Sequence, residues 1–265
     1  MCKKLSTQRS VKLLLPIYIE VNEAVLHSLR WFLKSILVNI DIDEISVIQT
    51  SRRFTDIQLI GKDAQMAANF LRRIFGGPKK WEDIIFNEEI PGRVIEIDER
   101  NLYVDIGLVE PDYLKVKISF TDIIKKVFRT SKTINKELFM QIGVRRYLPF
   151  YVVISDDSKI NKEKRTIDGR IGKLAVKMLK KWFYTRFDKL VVYGATRSSI
   201  EKALEISGHK RDVLNIERVG FLEHVIVCKW GTSSVGLIPE IGEYLPSAKF
   251  VAIRPRYFKK QLFVK

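Results

Sequence analysis

The chain has 265 residues, of which 46% are hydrophobic and 29% are charged, a composition that excludes a fully disordered protein. Lys and Arg outnumber Asp and Glu by 47 to 31, so the formal net charge at pH 7 is +16. No apolar run reaches the roughly 20 residues of a membrane-spanning helix, and the N-terminal residues lack a signal-peptide cleavage pattern. Cys2 and Cys228 stand far apart, which disfavours a structural zinc site. We therefore predict a cytoplasmic protein with neither a membrane segment nor a cofactor.

Residues 1–80 predict an N-terminal α+β module with the order β-α-β-β-α. The predicted elements are a strand, a helix, two strands and a helix, over residues 11–20, 23–38, 44–50, 54–60 and 62–75. The last helix ends at a Gly-Gly-Pro sequence, which cannot continue a helix. This order is typical of KH-like and ferredoxin-like modules.

Residues 88–128 have the pattern of a small β-barrel segment followed by a helix. Three short strands are predicted over residues 94–97, 102–106 and 113–118. The spacing G-x-V-x-x-I, then Y-V-D-I-G, then K-V-x-I-S-F-T-D, starting at Gly92, resembles the S1 subclass of OB-folds. The resemblance implies an RNA-binding face flanked by a Gly-rich turn and by a strand end that contains serine.

The charge of the barrel segment argues against RNA contact by the segment itself. Residues 81–120 sum to −6 and residues 121–200 sum to +12, so phosphates are repelled by the first stretch and attracted by the second. The acidic segment is instead a candidate docking face for a protein. Tyr103 fits either a core position or a stacking platform, because aromatic residues in strands usually pack against neighbours.

Residues 145–256 predict a C-terminal α/β sandwich, and residues 257–265 predict a basic tail. The sandwich begins with a strand, a charged loop and a helix, over residues 148–155, 156–167 and 169–186. It continues with a strand, a helix, two strands, a turn, a short helix and a strand, over residues 190–193, 199–206, 213–219, 223–229, 231–236, 237–244 and 250–253. Ser198 and Glu201 fit a capping box. The whole chain is thus predicted to be α+β in three small units.

The helix predicted over residues 169–186 is amphipathic. Its predicted apolar stripe consists of Ile171, Leu174, Met178 and Trp182. A second face is cationic, and no acidic residue lies between Arg170 and Phe187 to offset it. The face fits either a solvated surface or a site for nucleic-acid phosphates. The sequence G-x-x-G at residues 169–172 fits either an ordinary helix start, which is favoured, or a KH-type phosphate clamp.

Fourteen basic residues are predicted to contact nucleic acid. They lie at a hairpin tip, before the sandwich, in the charged loop, on the cationic helix and near the tail: Arg52, Arg53, Arg145, Arg146, Lys162, Lys164, Arg165, Arg170, Lys173, Lys177, Lys180, Lys181, Arg254 and Arg256. Such residues are expected to bind phosphates with an affinity that falls as salt is added, because binding releases counterions.

The sequence carries no catalytic motif. It has no P-loop, no dinucleotide-binding glycine pattern and no H-E-x-x-H. His27 lies in an apolar helical pattern, and Cys228 lies in an apolar strand typical of a buried thiol. We therefore predict that the protein is not an enzyme. A site that modifies nucleic acid around His209 and Asp212 is the third hypothesis.

The C-terminal region carries distinctive motifs. The strings YGATRSSIEKALEISGHKRDVLNIERVGFLEHVIVCKWGT and GLIPEIGEYLP, with VDIGLVEP upstream, resemble an uncharacterised archaeal protein family of unknown function. The resemblance spans residues 90–255 and implies a shared architecture with a central S1-like segment, without a reaction or a cofactor. It also implies a candidate recognition surface in the matching motifs, at His209, Arg211, Asp212 and Glu240.

Together these patterns predict a non-enzymatic RNA-binding accessory factor of the translation or transcription machinery. The expected partner is RNA, with ribosomal RNA and transfer RNA as candidates, bound through phosphates at the basic helix and loop. The alternative is a protein-interaction module that docks on RNA polymerase or a ribosomal assembly, with the acidic barrel segment as its docking face.

Overall fold

The computed structural model describes most of the chain, namely residues 9–16, 23–49 and 53–263, with all side chains in these ranges except those of Ala24 and Gln49. The chain divides into two compact units, Met1–Pro78 and Lys79–Lys265. Both contain helices and sheets, which confirms the predicted α+β class. Across the described ranges, every helix is too short or too polar to cross a lipid bilayer.

The first unit has the predicted order of a strand, a helix, two strands and a helix. Its elements are β1 (Arg9–Leu15), α1 (Glu23–Ile36), β2 (Glu44–Gln49), β3 (Thr55–Gly61) and α2 (Ala64–Phe75). The sheet order is β1-β3-β2, and both neighbouring pairs are antiparallel. Alternate residues of β3, including Ile57 and Leu59, are buried, and the helices bury Leu33 and Leu71. Side chains are buried at every second residue in the strand and along one side of each helix. These are the periods of two and 3.6 residues from which the elements were predicted.

The second unit begins with a curled sheet. Its elements are β4 (Lys79–Lys80), a 3₁₀ turn (Trp81–Asp83), β5 (Glu89–Ile97), β6 (Asn101–Asp105), β7 (Leu108–Glu110), β8 (Lys115–Ser119), α3 (Phe120–Phe128), α4 (Lys136–Met140), β9 (Pro149–Val153), β10 (Ile160–Asn161), β11 (Thr166–Asp168) and β12 (Arg170–Ile171). Seven strands form one sheet in the order β10-β11-β8-β6-β5-β9-β12, and β4 pairs separately with β7.

A single residue, Gly169, connects two strands, β11 and β12, that lie toward opposite edges of this sheet. β11 runs parallel to β8 and β12 runs antiparallel to β9, so the chain passes from one edge to the other at Gly169. The Gly169 amide donates to the Lys117 carbonyl oxygen at 2.9 Å, and a Cβ atom here would overlap the Val116 side chain. The sheet is therefore a partly open barrel with the strand connections of an OB-fold.

Strands that follow residue 128 belong to the same partly open barrel. β9, β11 and β12 belong to the same sheet as β5, β6 and β8, although the S1-like sequence pattern ends at α3. Residues 156–167, predicted as a charged loop, include the hairpin of β10 and β11. The local pattern of a strand does not reveal which sheet it joins, because its partners come from distant parts of the chain.

Helix α5 (Lys173–Phe183) begins later than predicted. Arg170 and Ile171 pair with β9, so their backbone groups belong to the sheet and not to the helix. The residues of α5 that are buried are Ala175, Leu179, Trp182 and Phe183. The predicted buried stripe is therefore wrong in part, because Leu174 is 47% exposed. Packing against the barrel selected a neighbouring apolar stripe of the same amphipathic helix.

The rest of the second unit is ferredoxin-like. Its first six elements and one 3₁₀ turn are β13 (Lys189–Tyr193), α6 (Arg197–Ile206), the turn His209–Asp212, β14 (Val213–Arg218), β15 (Glu223–Cys228), α7 (Leu237–Gly242) and β16 (Lys249–Ile253). The sheet order is β14-β15-β13-β16 with every neighbouring pair antiparallel, as in a ferredoxin-like motif. The first unit has the same order of elements up to the second helix, with corresponding strands in the same arrangement.

Two local features of this region differ from their predictions. Helix α6 is capped by Thr196, whose hydroxyl oxygen accepts a hydrogen bond from the Ser199 amide at 3.2 Å, and not by Ser198. Residues 257–263 of the predicted basic tail lie within helix α8 (Pro255–Phe263), which buries Phe258, and residues 264–265 lie outside the described residues. The buried residues of α8, Pro255, Phe258 and Leu262, are three and four residues apart, so a helical pattern was present in this segment and was not predicted.

A buried ion pair connects the barrel to the ferredoxin-like sheet within the second unit. The two parts share one hydrophobic core, to which β5 contributes Val94 and β15 contributes Val225. At this core, Arg93 Nη1 lies 2.9 Å from Glu223 Oε2, and the two side chains are 11% and 2% exposed. Arg93 also donates to the Tyr147 carbonyl oxygen at 3.2 Å. Because both side chains are largely removed from water, loss of one partner would leave the other charge poorly solvated.

We expect Glu223→Gln to lower the free energy of unfolding by about 3 kcal/mol, because it leaves a buried guanidinium without its counter-ion. Urea denaturation measures the change. The control is Glu201→Gln, which removes a carboxylate from the exposed pair with Arg197 and should cost less than about 0.5 kcal/mol. Equal losses in the two variants would contradict a structural role for the Arg93–Glu223 pair.

Candidate nucleic-acid interface

A cleft of about 640 Å³ lies between α5 and the barrel in the second unit. We refer to it as the basic cleft. It is lined by nine residues: Asn87, Lys126, Val153, Arg170, Ile171, Lys173, Val176, Lys177 and Lys180. Five of them are cations and none is acidic, so the cleft has a positive potential that attracts anions.

Helix α5 positions three of these cations through its amphipathic pattern. Lys173, Lys177 and Lys180 are four and three residues apart, so they lie along one side of the helix. Another side is buried, with Leu179 and Trp182 inside the core. Burial of the apolar side therefore fixes the direction in which the lysines project.

The three α5 lysines differ from the other cations of the cleft in their partners. Lys126 Nζ lies 3.3 Å from Asp122 Oδ1, and the Arg170 guanidinium donates to the Ser155 hydroxyl. Within the part of the chain that the structure describes, none of the three α5 lysines forms a salt bridge. Their charges are therefore available to an external anion.

The basic cleft has an apolar floor. Val153, Ile171 and Val176 line it among the cations, and no aromatic residue is among its lining residues. Charged groups with apolar surface, and without a ring on which a base could stack, suit a sugar–phosphate backbone better than a nucleobase.

The start of α5 is closed to phosphate. The Leu174 amide donates to Glu89 Oε1 at 2.8 Å, and the Ile171 amide donates to Asp122 Oδ2 at 3.0 Å. Carboxylate oxygens therefore already accept the hydrogen bonds from the amides that a KH-type clamp would offer to a phosphate. The G-x-x-G sequence is an ordinary connection between a strand and a helix, which is the interpretation that the sequence favoured.

Two predicted contact residues are engaged with the protein itself. Lys181 lies on α5 but forms a salt bridge with Glu217 of β14 at 2.8 Å. Arg145 is half-buried and donates to the main-chain oxygen atoms of Met140 and Val144. The structure thus gives both side chains a role within the fold.

The remaining predicted contact residues have other positions. Arg52 lies outside the described residues, and Arg53 of the first unit lies over the Phe54 ring, 5.2 Å from its centroid. Arg146 is exposed and lies 5.0 Å from the centroid of the Tyr147 ring. The exposed tip of the β10–β11 hairpin carries the three loop residues, Lys162, Lys164 and Arg165.

Arg254 and Arg256 line a second cavity of about 260 Å³ in the second unit. The sequence prediction did not include several residues that line the two cavities, among them Lys126, Arg186, Lys229 and Trp230. Lys126 follows an apolar helical pattern in which a lysine is unremarkable. A tryptophan beside a glycine in a predicted turn was a usable signal for Trp230, because binding residues concentrate in loops.

The outer face of β6 and β8, where OB-folds bind oligonucleotides, carries paired charges. Lys115 forms a salt bridge with Glu96 and lies over the Tyr103 ring, 4.4 Å from its centroid. The Tyr103 hydroxyl donates to Asp98 Oδ2 at 2.7 Å, and burial together with this contact raises the pKa of Tyr103 to about 12. The ring is therefore covered on one face, Glu96 is paired with Lys115, and Asp98 is engaged in hydrogen bonds with Tyr103 and Asn101.

The three histidines have different environments. His27 is exposed on α1, whereas His224 is buried in β15, where burial lowers its pKa to about 4. His209 Nδ1 lies 2.7 Å from Asp212 Oδ2, and its Nε2 lies 3.7 Å from Glu240 Oε2. Among the residues that the structure describes, no group of three His, Cys, Asp or Glu is arranged to hold a metal ion.

The motif residues of the predicted recognition surface are partly brought together. His209, Asp212 and Glu240 form one cluster, and Arg211 is exposed in the same 3₁₀ turn.

Cys228 is buried, and burial raises the pKa of its thiol to about 12, which keeps it protonated and unreactive.

Comparisons with known proteins identify two matching segments. A family model described as the DUF2110 N-terminal domain matches residues 10–81, and one described as the DUF2110 C-terminal domain matches residues 187–253. No curated protein matches the chain. A crystal structure of a proposed exosome complex RNA-binding protein is similar over 67% of this chain and 95% of that chain, with 11% identity and a TM-score of 0.21. A likeness at this TM-score supports no conclusion about function.

The cluster around His209 predicts a titration behaviour. The pKa of His209 is raised above 6.5, mainly because the imidazole forms a hydrogen bond with Asp212. Because the pKa is higher in the folded state, the pair stabilises the fold below pH 6.5, and this contribution is lost as pH rises through the folded-state pKa. We expect an NMR titration to give a pKa above 6.5 and Asp212→Asn to lower it. The control is Glu205→Gln, which removes the partner of Lys210 and should leave the His209 pKa unchanged.

Proposed function

The chain belongs to the DUF2110 family, and we propose that it is a non-enzymatic RNA-binding protein. In this proposal the basic cleft holds the sugar–phosphate backbone, and the protein acts as an accessory factor in translation or transcription. The observation that carries the proposal is the row of Lys173, Lys177 and Lys180, which line the cleft and form no salt bridge with any residue that the structure describes. The neighbouring barrel face, by contrast, pairs its charges.

The spacing of the lysines fits several phosphates. Lys173 and Lys180 are seven residues apart, which corresponds to about 10 Å along a helix. A stacked strand advances about 3.4 Å per nucleotide, so the row is as long as roughly three nucleotides. Arg170 adds positive charge along the same cleft. A polyanion that spans the row would relieve the mutual repulsion of these neighbouring cations.

Contacts of this kind define the expected specificity. Phosphate contacts fix the position of a nucleic acid but do not read its sequence. We therefore propose that the basic cleft binds RNA of many sequences, with an affinity that falls steeply as salt is added. Crosslinking in cells followed by sequencing identifies the RNA, with ribosomal RNA and transfer RNA as the first candidates.

The triple variant Lys173→Gln, Lys177→Gln, Lys180→Gln tests the cleft. Loss of three phosphate contacts to a single strand should lower the slope of log K against log salt by about 2, and the affinity at about 0.1 M salt by about 100-fold. Fluorescence anisotropy with a labelled RNA, recorded at several salt concentrations, measures both quantities.

A matched control separates the cleft from the overall charge. Lys202→Gln, Lys210→Gln, Lys249→Gln removes the same number of positive charges from exposed residues of the ferredoxin-like part. We expect this control to bind RNA within about threefold of the wild type, because these residues do not line the cleft and the effect of dispersed surface charges is screened by salt. Equal loss in the two triple variants would show that only net charge matters and would overturn the assignment of the cleft.

A second candidate function, docking on a protein assembly, is favoured by the surface of α2. Met66, Phe70 and Ile74 are spaced four residues apart on this helix and are 59%, 39% and 52% exposed. An exposed apolar stripe of this kind is typical of a protein contact. The predicted docking face on the barrel is less suitable, because Glu96 and Asp168 already form salt bridges there with lysines.

The α2 stripe predicts an interaction that does not depend on RNA. If it docks on RNA polymerase or a ribosomal assembly, co-purification with that assembly should survive nuclease treatment and be lost in Met66→Lys, Ile74→Lys. The control is Gln65→Lys, Asn69→Lys, which adds the same charge at exposed neighbouring positions of α2. Association that disappears with nuclease would assign the contact to RNA and remove this candidate.

A further inference from the structure

The second cavity contains an exposed tryptophan, and we refer to it as the Trp230 pocket. It is lined by ten residues: Arg186, Phe187, Asp188, Lys229, Trp230, Gly231, Thr232, Ser233, Arg254 and Arg256. These come from the connection before β13, the turn after β15 and the start of α8. Three separate stretches of chain thus meet around the indole ring.

The indole ring of Trp230 is prepared for stacking. The residue is 61% exposed, although tryptophan is usually much more buried than this. The Arg256 guanidinium lies over the ring, 4.0 Å from its centroid, so it covers one face. A planar ligand has access to the exposed surface of the ring that the guanidinium leaves uncovered.

Positive charge surrounds the ring. Arg186, Lys229 and Arg254 line the pocket, and within the described residues none of the three forms a salt bridge. The pocket has one carboxylate, that of Asp188, which accepts hydrogen bonds from the hydroxyl and the amide of Ser234 at 3.3 and 3.4 Å. Because the cations that line the pocket outnumber its carboxylate, the pocket favours an anionic group next to the aromatic surface.

Internal hydrogen bonds hold the walls of the pocket in place. The buried Lys189 donates to the carbonyl oxygens of Trp182 and Phe187, at 2.9 and 3.0 Å, which fixes the connection that carries Arg186. The Lys229 amide donates to the Asp212 carbonyl oxygen at 2.8 Å and anchors the start of the turn. On α8, burial of Phe258 sets the position of Arg256. A preformed site loses little entropy when it binds a ligand.

We infer that the Trp230 pocket binds one unpaired nucleotide of RNA, with its base stacked on Trp230 and its phosphate among Arg186, Lys229 and Arg254. The inference rests on the proposed RNA-binding function and adds to it a preference for single strands. A base in a duplex is stacked and paired, so it is not available to an indole ring. The volume of about 260 Å³ is below the range of pockets that enclose a whole drug-sized ligand, which suits one unit of a longer chain.

The variant Trp230→Leu tests the inference with a single-stranded RNA of roughly 12 nucleotides and a duplex of the same length. Loss of one stacking contact should weaken single-strand binding by about 10-fold, with an unchanged salt slope and unchanged duplex binding. Trp230→Phe should restore most of the affinity, because it keeps an aromatic face. The control is Trp31→Leu, which removes a tryptophan of the first unit that is 53% exposed and should bind like the wild type.

A second variant tests the cations that are proposed to bind the phosphate. Arg186→Gln, Arg254→Gln should lower the salt slope for single-stranded RNA by about 1.4, as expected for two lost contacts. Adenosine monophosphate alone should bind at least 100-fold more weakly than the RNA. Binding of the free nucleotide as tight as that of RNA would identify a mononucleotide site and overturn the inference.

The possible failures can be told apart. If Trp230→Leu binds single-stranded RNA like the wild type while the α5 triple variant does not, the Trp230 pocket is wrong and the proposed function stands. If the wild type binds neither RNA at low salt, both proposals fail. Thermal unfolding of each variant shows that the fold is intact before the binding results are compared.

Discussion

Three phenylalanines join the helices on which both cationic surfaces depend. Phe128 of α3, Phe183 of α5 and Phe258 of α8 lie with ring centroids 5.2, 5.1 and 4.9 Å apart. Such contacts add about 0.5–1.5 kcal/mol per pair to the burial of the rings. The outward sides of the same helices carry Lys126 and the α5 lysines of the basic cleft, and Arg256 of the Trp230 pocket. Because the rings are fixed, cations from three helices project in constant directions.

The charges of the second unit are divided between paired and unpaired groups. The barrel face neutralises its acids with neighbouring cations, as in the pair of Lys115 and Glu96. The buried pair of Arg93 and Glu223 connects the barrel to the ferredoxin-like sheet. The α5 lysines that line the basic cleft instead form no salt bridge within the described residues, and a bound polyanion would remove the repulsion between them. The surplus of +16 is therefore less informative than the distribution of the charges that lack partners.

Much of the fold was predictable from local pattern. The β-α-β-β-α order of the first unit follows from periods of two and 3.6 residues, and β3 and α2 end within two residues of their predicted bounds. Predictions became less accurate where another part of the chain competes for the backbone. Arg170 and Ile171 look helical in sequence but pair with β9, and the predicted tail packs as α8 through Phe258. At Arg170 and Ile171 a tertiary contact overrides a local preference, whereas the helical spacing of Pro255, Phe258 and Leu262 was already present in the sequence.

The sequence by itself determined the α+β class, the order of most elements, and the stretch from Arg170 to Phe187 in which cations are not offset by acids. Tertiary structure alone decided which charges converge. It places Lys126 beside the α5 lysines, engages Lys181 with Glu217, and sets Arg256 over Trp230. The physical reason is range, because periodicity reports on neighbours within a few residues. The partners of these side chains lie dozens of residues away and are selected by the packing of whole elements.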